Sequence, residues 1–356
     1  MLSVWNPSYR VFSFNDVDTT PMVKEYQTLL EIPYVAQNRI YLYLDHRKTW
    51  KRFTHIIGVP VEEARVKETV KGNSHGWPWV YIKKQLDQHI RSEKWDKALS
   101  VSTLGIYGLV LFPGPLGIVT HNVTKLFWAV EKQNVNPIPA ILTETFLTLM
   151  YCRHQGKGII KCCIPLLYLW ILSHICPLET KGLTWYSDQP IIEKMVKLVI
   201  TRRDERQWQE QILNFSSHNY YWRKLWTTGQ PILISMGGHH FVPLIGLTGC
   251  TSYILAMIMR QFSSTQFVPN TKGFYQTHFY HEPCREDELK ALRKSWEEVT
   301  LMERSPKGLS VIEEYSLWRN RRDKEYQISK LTRSEESISR QEVCLERGDI
   351  GSSSPL

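Results

Sequence analysis

Three long uncharged runs decide what this chain can fold into: Ala98 to Thr124, Cys162 to Leu178 and Leu225 to Met259. Stretches of that length must leave water, for a bilayer or for a protein core. Each is broken where a membrane helix would suffer. Gly105, Gly108, Pro113, Gly114, Pro115 and Gly117 interrupt the first, Pro165 and His174 the second, and Gly237, Gly238, His239, His240 and Pro243 the third. In hydrocarbon such breaks leave backbone groups unpaired, so the runs read as buried parts of a folded domain. Val242 to Met259 is the strongest span, and it would support the alternative of a membrane-attached protein.

With 42% hydrophobic residues over 356 positions the chain can bury a real core, which excludes a mainly disordered or collagen-like protein. Its seven cysteines, Cys152, Cys162, Cys163, Cys176, Cys250, Cys284 and Cys344, are odd in number and irregularly spaced. They read as reduced thiols of a nuclear or cytoplasmic protein rather than a disulfide framework. The opening MLSVWNPSYR has no apolar h-region, so no signal peptide is expected. The formal net charge of +9 belongs to the part before residue 285, because Arg285 to Leu356 holds 14 basic and 15 acidic residues. A basic surface favours acidic partners, nucleic acid among them.

Helical spacing dominates elsewhere. Thr20-Pro21 is an N-cap and first-turn pair, with Val23, Tyr26 and Leu30 following on one face. Similar spacing recurs in Val80, Ile82, Leu86 and Ile90, in Ile138, Ile141, Leu142, Thr145 and Leu149, and in Ile191, Ile192, Met195 and Val199. Leu289, Leu292, Trp296 and Val299 mark an amphipathic helix over 285–303, able to dock or to self-associate. A second helix is expected over 310–331, with Ile312, Tyr315 and Trp318. Strand alternation is scarce, best in Tyr9 to Phe14 and Ile232 to Ser235. The expected fold class is mainly α: a multi-helix single globular domain over 1–284 with at most a short β ribbon. Charged amphipathic helices over 285–331, docked or in a coiled coil, and a disordered tail over 332–356 complete it.

Zinc needs thiolate and imidazole ligands at short spacing, and the densest such group is Cys152, His154, Cys162, Cys163, His174 and Cys176. It lacks the closely spaced pairs of structural zinc sites, and the apolar stretch 164–175 places these side chains among packed neighbours. No metal is expected there. The alternative is an enzyme or metal-binding protein centred on Cys152, Cys163 and His174. His278, His281, Glu282 and Cys284 form a second group without the H-E-x-x-H order of a catalytic metal helix. No nucleophile elbow, phosphate-binding loop or dinucleotide fingerprint occurs. No catalytic residue and no cofactor are therefore assigned, and a non-enzymatic protein is expected.

Basic residues interleave with rings in His46-Arg47-Lys48-Thr49-Trp50-Lys51-Arg52-Phe53 and in Tyr220-Tyr221-Trp222-Arg223-Lys224-Leu225-Trp226. Arg47, Lys48, Lys51, Arg52, Arg202, Arg203, Arg206, Arg223 and Lys224 are the candidate contacts to nucleic acid or to a protein partner. The competing reading is structural: rings three or four apart anchor helices while the charges between them face water. Arg319, Arg321, Arg322 and Lys324 make a candidate nuclear-import cluster.

Several phrases occur in order: Trp5-Asn6-Pro7-Ser8-Tyr9 with Phe12 and Phe14, Val17-Asp18-Thr19-Thr20-Pro21, Leu104-Gly105-Ile106-Tyr107-Gly108, Pro139-Ala140-Ile141-Leu142-Thr143-Glu144-Thr145-Phe146, and Trp170 with Ser173 and His174. Further along come Val242-Pro243-Leu244, Arg260-Gln261-Phe262 and Gln266-Phe267-Val268-Pro269. Together, over roughly residues 1 to 330, they resemble a plant-specific family of domains of unknown function, retrotransposon-associated and related to the plant mobile domain, often labelled aminotransferase-like. The resemblance implies an α-helical domain of mobile-element origin with no established catalytic residues. It also implies helices ahead of Trp5 in relatives, so this chain is expected to start late. The aminotransferase label finds no matching Schiff-base lysine, phosphate cup and pyridinium acid.

Overall fold

The computed structural model describes residues 2–32, 40–41, 49–114, 117–155, 158, 160–175, 204–215, 232–262, 264–277, 279–280, 286–302 and 310–325. The chain opens with an antiparallel meander of β1 (Trp5–Asn6), β2 (Val11–Ser13) and β3 (Asp18–Thr19), in which Phe12 lies opposite both Trp5 and Thr19. The Asn6 side chain shapes the first turn by accepting from the amides of Ser8 and Tyr9. Helix α1 (Val23–Leu29) starts a few residues later than Thr20-Pro21 predicts, because β3 runs through Thr19 and the Met22 amide finds its partner in Glu25 Oε2 at 3.1 Å.

Next come α2 (Thr49–Ile57), α3 (Val61–Lys67) and a second antiparallel sheet, β4 (Thr69–Lys71), β5 (Ser74–Pro78) and β6 (Ile118–Thr120). Phe53 of α2 stacks on Trp77 of β5 at 3.6 Å, and the Trp77 indole donates to the Ala64 carbonyl. Between β5 and β6 the chain makes a helical hairpin, α4 (Trp79–Arg91) and α5 (Trp95–Ile106), and α5 ends in a π-helical turn over Tyr107–Leu111. Helix α6 (His121–Gln133) is capped by the Thr120 hydroxyl and closed by Asn134 in the left-handed conformation. Helix α7 (Ile138–Gln155) is buried on nearly every side along its first twelve residues, as an apolar helix without a polar face must be. It carries Phe146, which stacks on Trp5, and α8 (Ile164–Ile175) brings Trp170 to Phe12. One continuous core joins these elements.

The remainder mixes α9 (Glu205–Leu213), β7 (Ile232–Met236), the hairpin of β8 (Val242–Ile245) and β9 (Gly249–Tyr253), β10 (Thr265–Gln266), β11 (Phe279–Tyr280), α10 (Glu286–Ser295), β12 (Val299–Met302), β13 (Ser310–Val311) and α11 (313–325). Helical residues dominate, but five small sheets replace the single ribbon expected from the sequence. Most of their strands are two to four residues long, too short for a local pattern to announce them. Val242 to Met259 is a buried hairpin followed by a 3-10 stretch, not a span. Among the described residues no helix is long and apolar enough to cross a membrane.

The amphipathic helix expected over 285–303 stops at Ser295, and Val299 instead enters β12, which pairs with β7. The stripe of Leu289, Leu292 and Trp296 is buried within the same chain, and the Trp296 indole donates to the Pro243 carbonyl at 3.0 Å. β13 adds in parallel to β10, so the charged C-terminal stretch shares sheets with the part before it. Residues 332–356 lie outside the described residues, as do Ile191, Ile192, Met195 and Val199.

Candidate functional site

Helix α5 turns its small residues inward. Ala98, Gly105 and Gly108, with Val101 and Leu104, face the core, and the close approach depends on the glycines. A Cβ at Gly105 would lie 2.5 Å from the Trp79 ring, and one at Gly108 would lie 2.7 Å from the Val119 side chain. Other large apolar residues of the same stretch point outward. Trp95 is 62% exposed, Leu99 69%, Ile106 51%, Leu109 36% and Val110 40%, with Ile90 of α4 exposed as well. In a soluble helix large apolar residues belong in the core, so these leave an exposed apolar face along α5. The π-helical turn contributes to it by presenting Leu109 and Val110 side by side.

A polar cluster lies elsewhere, where α3 meets the second sheet. Glu68 Oε1 stands 3.1 Å from His121 Nε2 and 3.3 Å from His75 Nδ1, and Oε2 accepts from the Trp50 indole at 2.8 Å. This carboxylate orients the two imidazoles and the indole. A cleft of about 300 Å³ between the first sheet and α9, lined by Ser3, Asn6, Asn15, Leu213 and Asp323 among others, gathers a single carboxylate.

Of the thiol and imidazole group offered as the alternative, Cys152, Cys162 and Cys163 lie near one another inside the fold. Cys152, Cys162 and Cys163 are buried free thiols, and burial pushes Cys162 up to about 12 and Cys163 upward too, which disfavours their thiolates. His154 sits exposed at the end of α7. His174 is spent on structure: its Nδ1 lies 2.8 Å from the Trp170 carbonyl and its Nε2 3.2 Å from Glu25, which also accepts from the Trp170 indole. Among the described residues no three His, Cys, Asp or Glu side chains form a group that could hold a metal ion. Cys176, His278, His281, Glu282 and Cys284 lie outside the described residues.

Of the candidate nucleic-acid contacts, Lys51 is exposed on α2 and Arg52 half-buried beside Phe53. Arg206 is exposed but paired with Glu210 at 3.2 Å. Arg47, Lys48, Arg202, Arg203, Arg223 and Lys224 lie outside the described residues. The import cluster is divided by helical periodicity, which corrects the sequence reading. Arg321 and Lys324 face water, but Arg319 and Arg322 are buried around Asp18, with Arg322 Nη2 2.8 Å and Arg319 Nε 3.2 Å from its carboxylate. Ser13 and Tyr315 donate to the same carboxylate at 2.7 and 2.6 Å. Burial would push the Asp18 carboxyl up, but Arg322 and Arg319 outweigh it and hold the group at about 2.

The α5 face was missed by composition, which registered only an uncharged run. A finer signal was present: Trp95, Leu99, Ser102, Ile106 and Leu109 are spaced four, three, four and three apart, and Val101 and Leu104 fall away from that stripe.

The fold and this face define a mainly helical protein with one core and an uncovered apolar hairpin. The family model described as a domain of unknown function, DUF7745, matches residues 1–324, and the chain belongs to that family. Neither a curated protein nor a solved structure matches it.

Proposed function

We propose that the protein is a non-catalytic interaction domain that binds another protein through the α4–α5 face. The observation that carries this reading is the exposed side of α5, where Trp95, Leu99 and Ile106 face outward while Ala98, Val101, Leu104 and Gly105 face the core. Exposed apolar residues in one contiguous stripe supply the hydrophobic centre that protein interfaces need. The inert, buried thiols and the structural use of His174 favour a binding role over catalysis. Descent from a mobile-element-associated plant family belongs to the same proposal and rests on the sequence resemblance alone, while nuclear action rests on the basic cluster, of which Arg321 and Lys324 are exposed.

The test is a photo-crosslinking side chain at position 99 of the full chain, activated in cells that express it. Covalent adducts to protein are expected from Leu99 and not from Val66, which is equally exposed on α3. Absence of protein adducts at position 99 removes the reading.

A second reading, nucleic-acid contact, is favoured by one observation: the Arg65 guanidinium lies over the Trp50 ring at 5.7 Å, beside the exposed Lys51, Lys67 and Lys71. Its signature is a steep loss of affinity with salt, and Lys51→Ala and Lys67→Ala should flatten the slope by about one each. Failure to bind single- or double-stranded nucleic acid at low salt ends it.

A further inference from the structure

We infer that the partner on the α5 face is a second copy of the same chain, joined by antiparallel pairing of α5 with α5 of the other copy; this rests on the reading of that face as a protein interface. The argument begins with spacing. Trp95, Leu99, Ser102 and Ile106 follow the four-three alternation of a coiled-coil seam over the whole of α5, and Leu109 is exposed just beyond them in the π-helical turn. Such a seam fits another helix with the same alternation.

The stripe is also its own complement when reversed. Ser102 is the middle of the five positions, with Leu99 and Ile106 equidistant in the pattern on either side and Trp95 and Leu109 beyond them. A two-fold axis through Ser102 therefore sets Leu99 against Ile106 of the other copy and Trp95 against Leu109. Large rings meet smaller aliphatic side chains, and the small serine lets the two helices come close at the crossing. A two-fold interface must be self-complementary in this way. Parallel pairing would instead bring Trp95 against Trp95 and the acidic Glu93 and Asp96 against their own copies. Antiparallel pairing also opposes the helix dipoles.

The seam contains no charged residue. Charges that border it, Lys94, Asp96 and Lys97, cluster at one end of α5, so the reversed copy presents them to the uncharged end. Lys97 is already turned away, donating to the His55 carbonyl. The exposed parts of Ile90, Trp95, Leu99, Ile106, Leu109 and Val110 amount to apolar area on the order of 500 Å² per copy, by the usual size of such side chains. That is most of the roughly 800 Å² per partner of a stable interface, and α4 lies alongside to supply the polar rim.

Sedimentation equilibrium of the full chain from about one micromolar upward tests this. A mass twice that of the chain is expected, with Leu99→Glu and Ile106→Glu together returning it to a monomer whose circular dichroism is unchanged. Mild oxidation of Ser102→Cys should give a covalent dimer well above the wild-type background. A mixture of Leu99→Cys and Ile106→Cys chains should cross-link, whereas neither variant should do so alone. A monomeric wild-type chain at about a hundred micromolar overturns the inference, and so does cross-linking of Leu99→Cys to itself, which would mean parallel pairing. Binding of a monomer to phosphatidylcholine–phosphatidylserine vesicles, lost in Leu99→Glu, overturns it in favour of a lipid surface. If position 99 cross-links only to other proteins, the second copy is excluded while the interface reading stands.

Discussion

Asp18 shows how a single buried charge can hold distant parts of a chain together. Its carboxylate is fully buried and meets Arg322 and Arg319 from α11 and hydroxyls from Ser13 and Tyr315, while Gln266 Nε2 donates to the Tyr315 hydroxyl at 2.7 Å. Removing the anion would strand two buried guanidinium groups, so Asp18→Asn is expected to cost about 3–5 kcal/mol in urea denaturation. Arg322→Ala should cost a similar amount, while Arg321→Ala, on the exposed side of the same helix, should cost less than about 0.5 kcal/mol. If Arg321 rather than Arg322 governs stability, the burial pattern of α11 is wrong. The pH dependence has a definite sign. A carboxyl held at about 2 in the fold and near its ordinary value when unfolded gives stability that is complete above about pH 4 and lost as pH falls towards 2. Asp18→Asn should flatten that acid limb. Little of this was legible beforehand: Val17-Asp18-Thr19 stands out only as a phrase, and the partners of Asp18 lie some three hundred positions away, where Arg319 and Arg322 resemble an exposed basic cluster.

At the scale of elements, glycines and one internal carboxylate decide how pieces meet. A Cβ at Gly76 in β5 would lie 2.2 Å from the Val119 carbonyl of β6, a backbone atom that cannot swing away. Gly76→Ala should therefore open the sheet that roots the α4–α5 hairpin and cost about 1–3 kcal/mol or more, read by thermal denaturation; an unchanged midpoint would mean that β5 and β6 are further apart than they stand. Glu144, inside α7, ties down the turn between β8 and β9 by accepting from the amides of Leu247 and Thr248 and from the Thr248 hydroxyl. Burial pushes its carboxyl upward and those three donors oppose the shift. Glu144→Leu is expected to orphan the two amides and lose about 1–3 kcal/mol for each donor left dry, whereas Glu144→Gln, which keeps an acceptor oxygen, should lose less. Equal losses in both variants would show that charge, not hydrogen bonding, fixes the turn. The helices α4 and α7 were legible from apolar spacing at 80–90 and 138–149, and β2 and β7 from short alternation. The small sheets were not, because two-residue strands are made by partners rather than by local pattern. The α5 face was half-legible: the run was conspicuous, but its residues had to be sorted by side before the exposed stripe stood out.

For the whole molecule, the order of the chain and the order of its contacts disagree. Strands β12 and β13 and helix α11 come late in sequence yet pair with β7 and β10 and close over the first meander, where Arg319 also donates to the carbonyls of Phe14 and Asn15. The charge boundary near residue 285 therefore follows surface composition and not the arrangement of the core. A chain ending at residue 309 would lose β13 and α11 together. Asp18 would then be buried without its cations, β10 would lose its strand partner, and the carbonyls of residues 14 and 15 would lose theirs. Because the meander strands are only two or three residues long, they have little pairing of their own to fall back on. Hydrogen exchange by mass spectrometry should show amides of residues 5–19 losing protection in the shortened chain, while those of α4 and α5, rooted in the second sheet, change much less. Retained protection at 5–19 would mean that the meander is held by Trp5 and Phe12 packing on Phe146 and Trp170 alone. Loss of protection confined to that region would show that the clasp around Asp18 holds the meander while the α4–α5 hairpin is held independently by the second sheet.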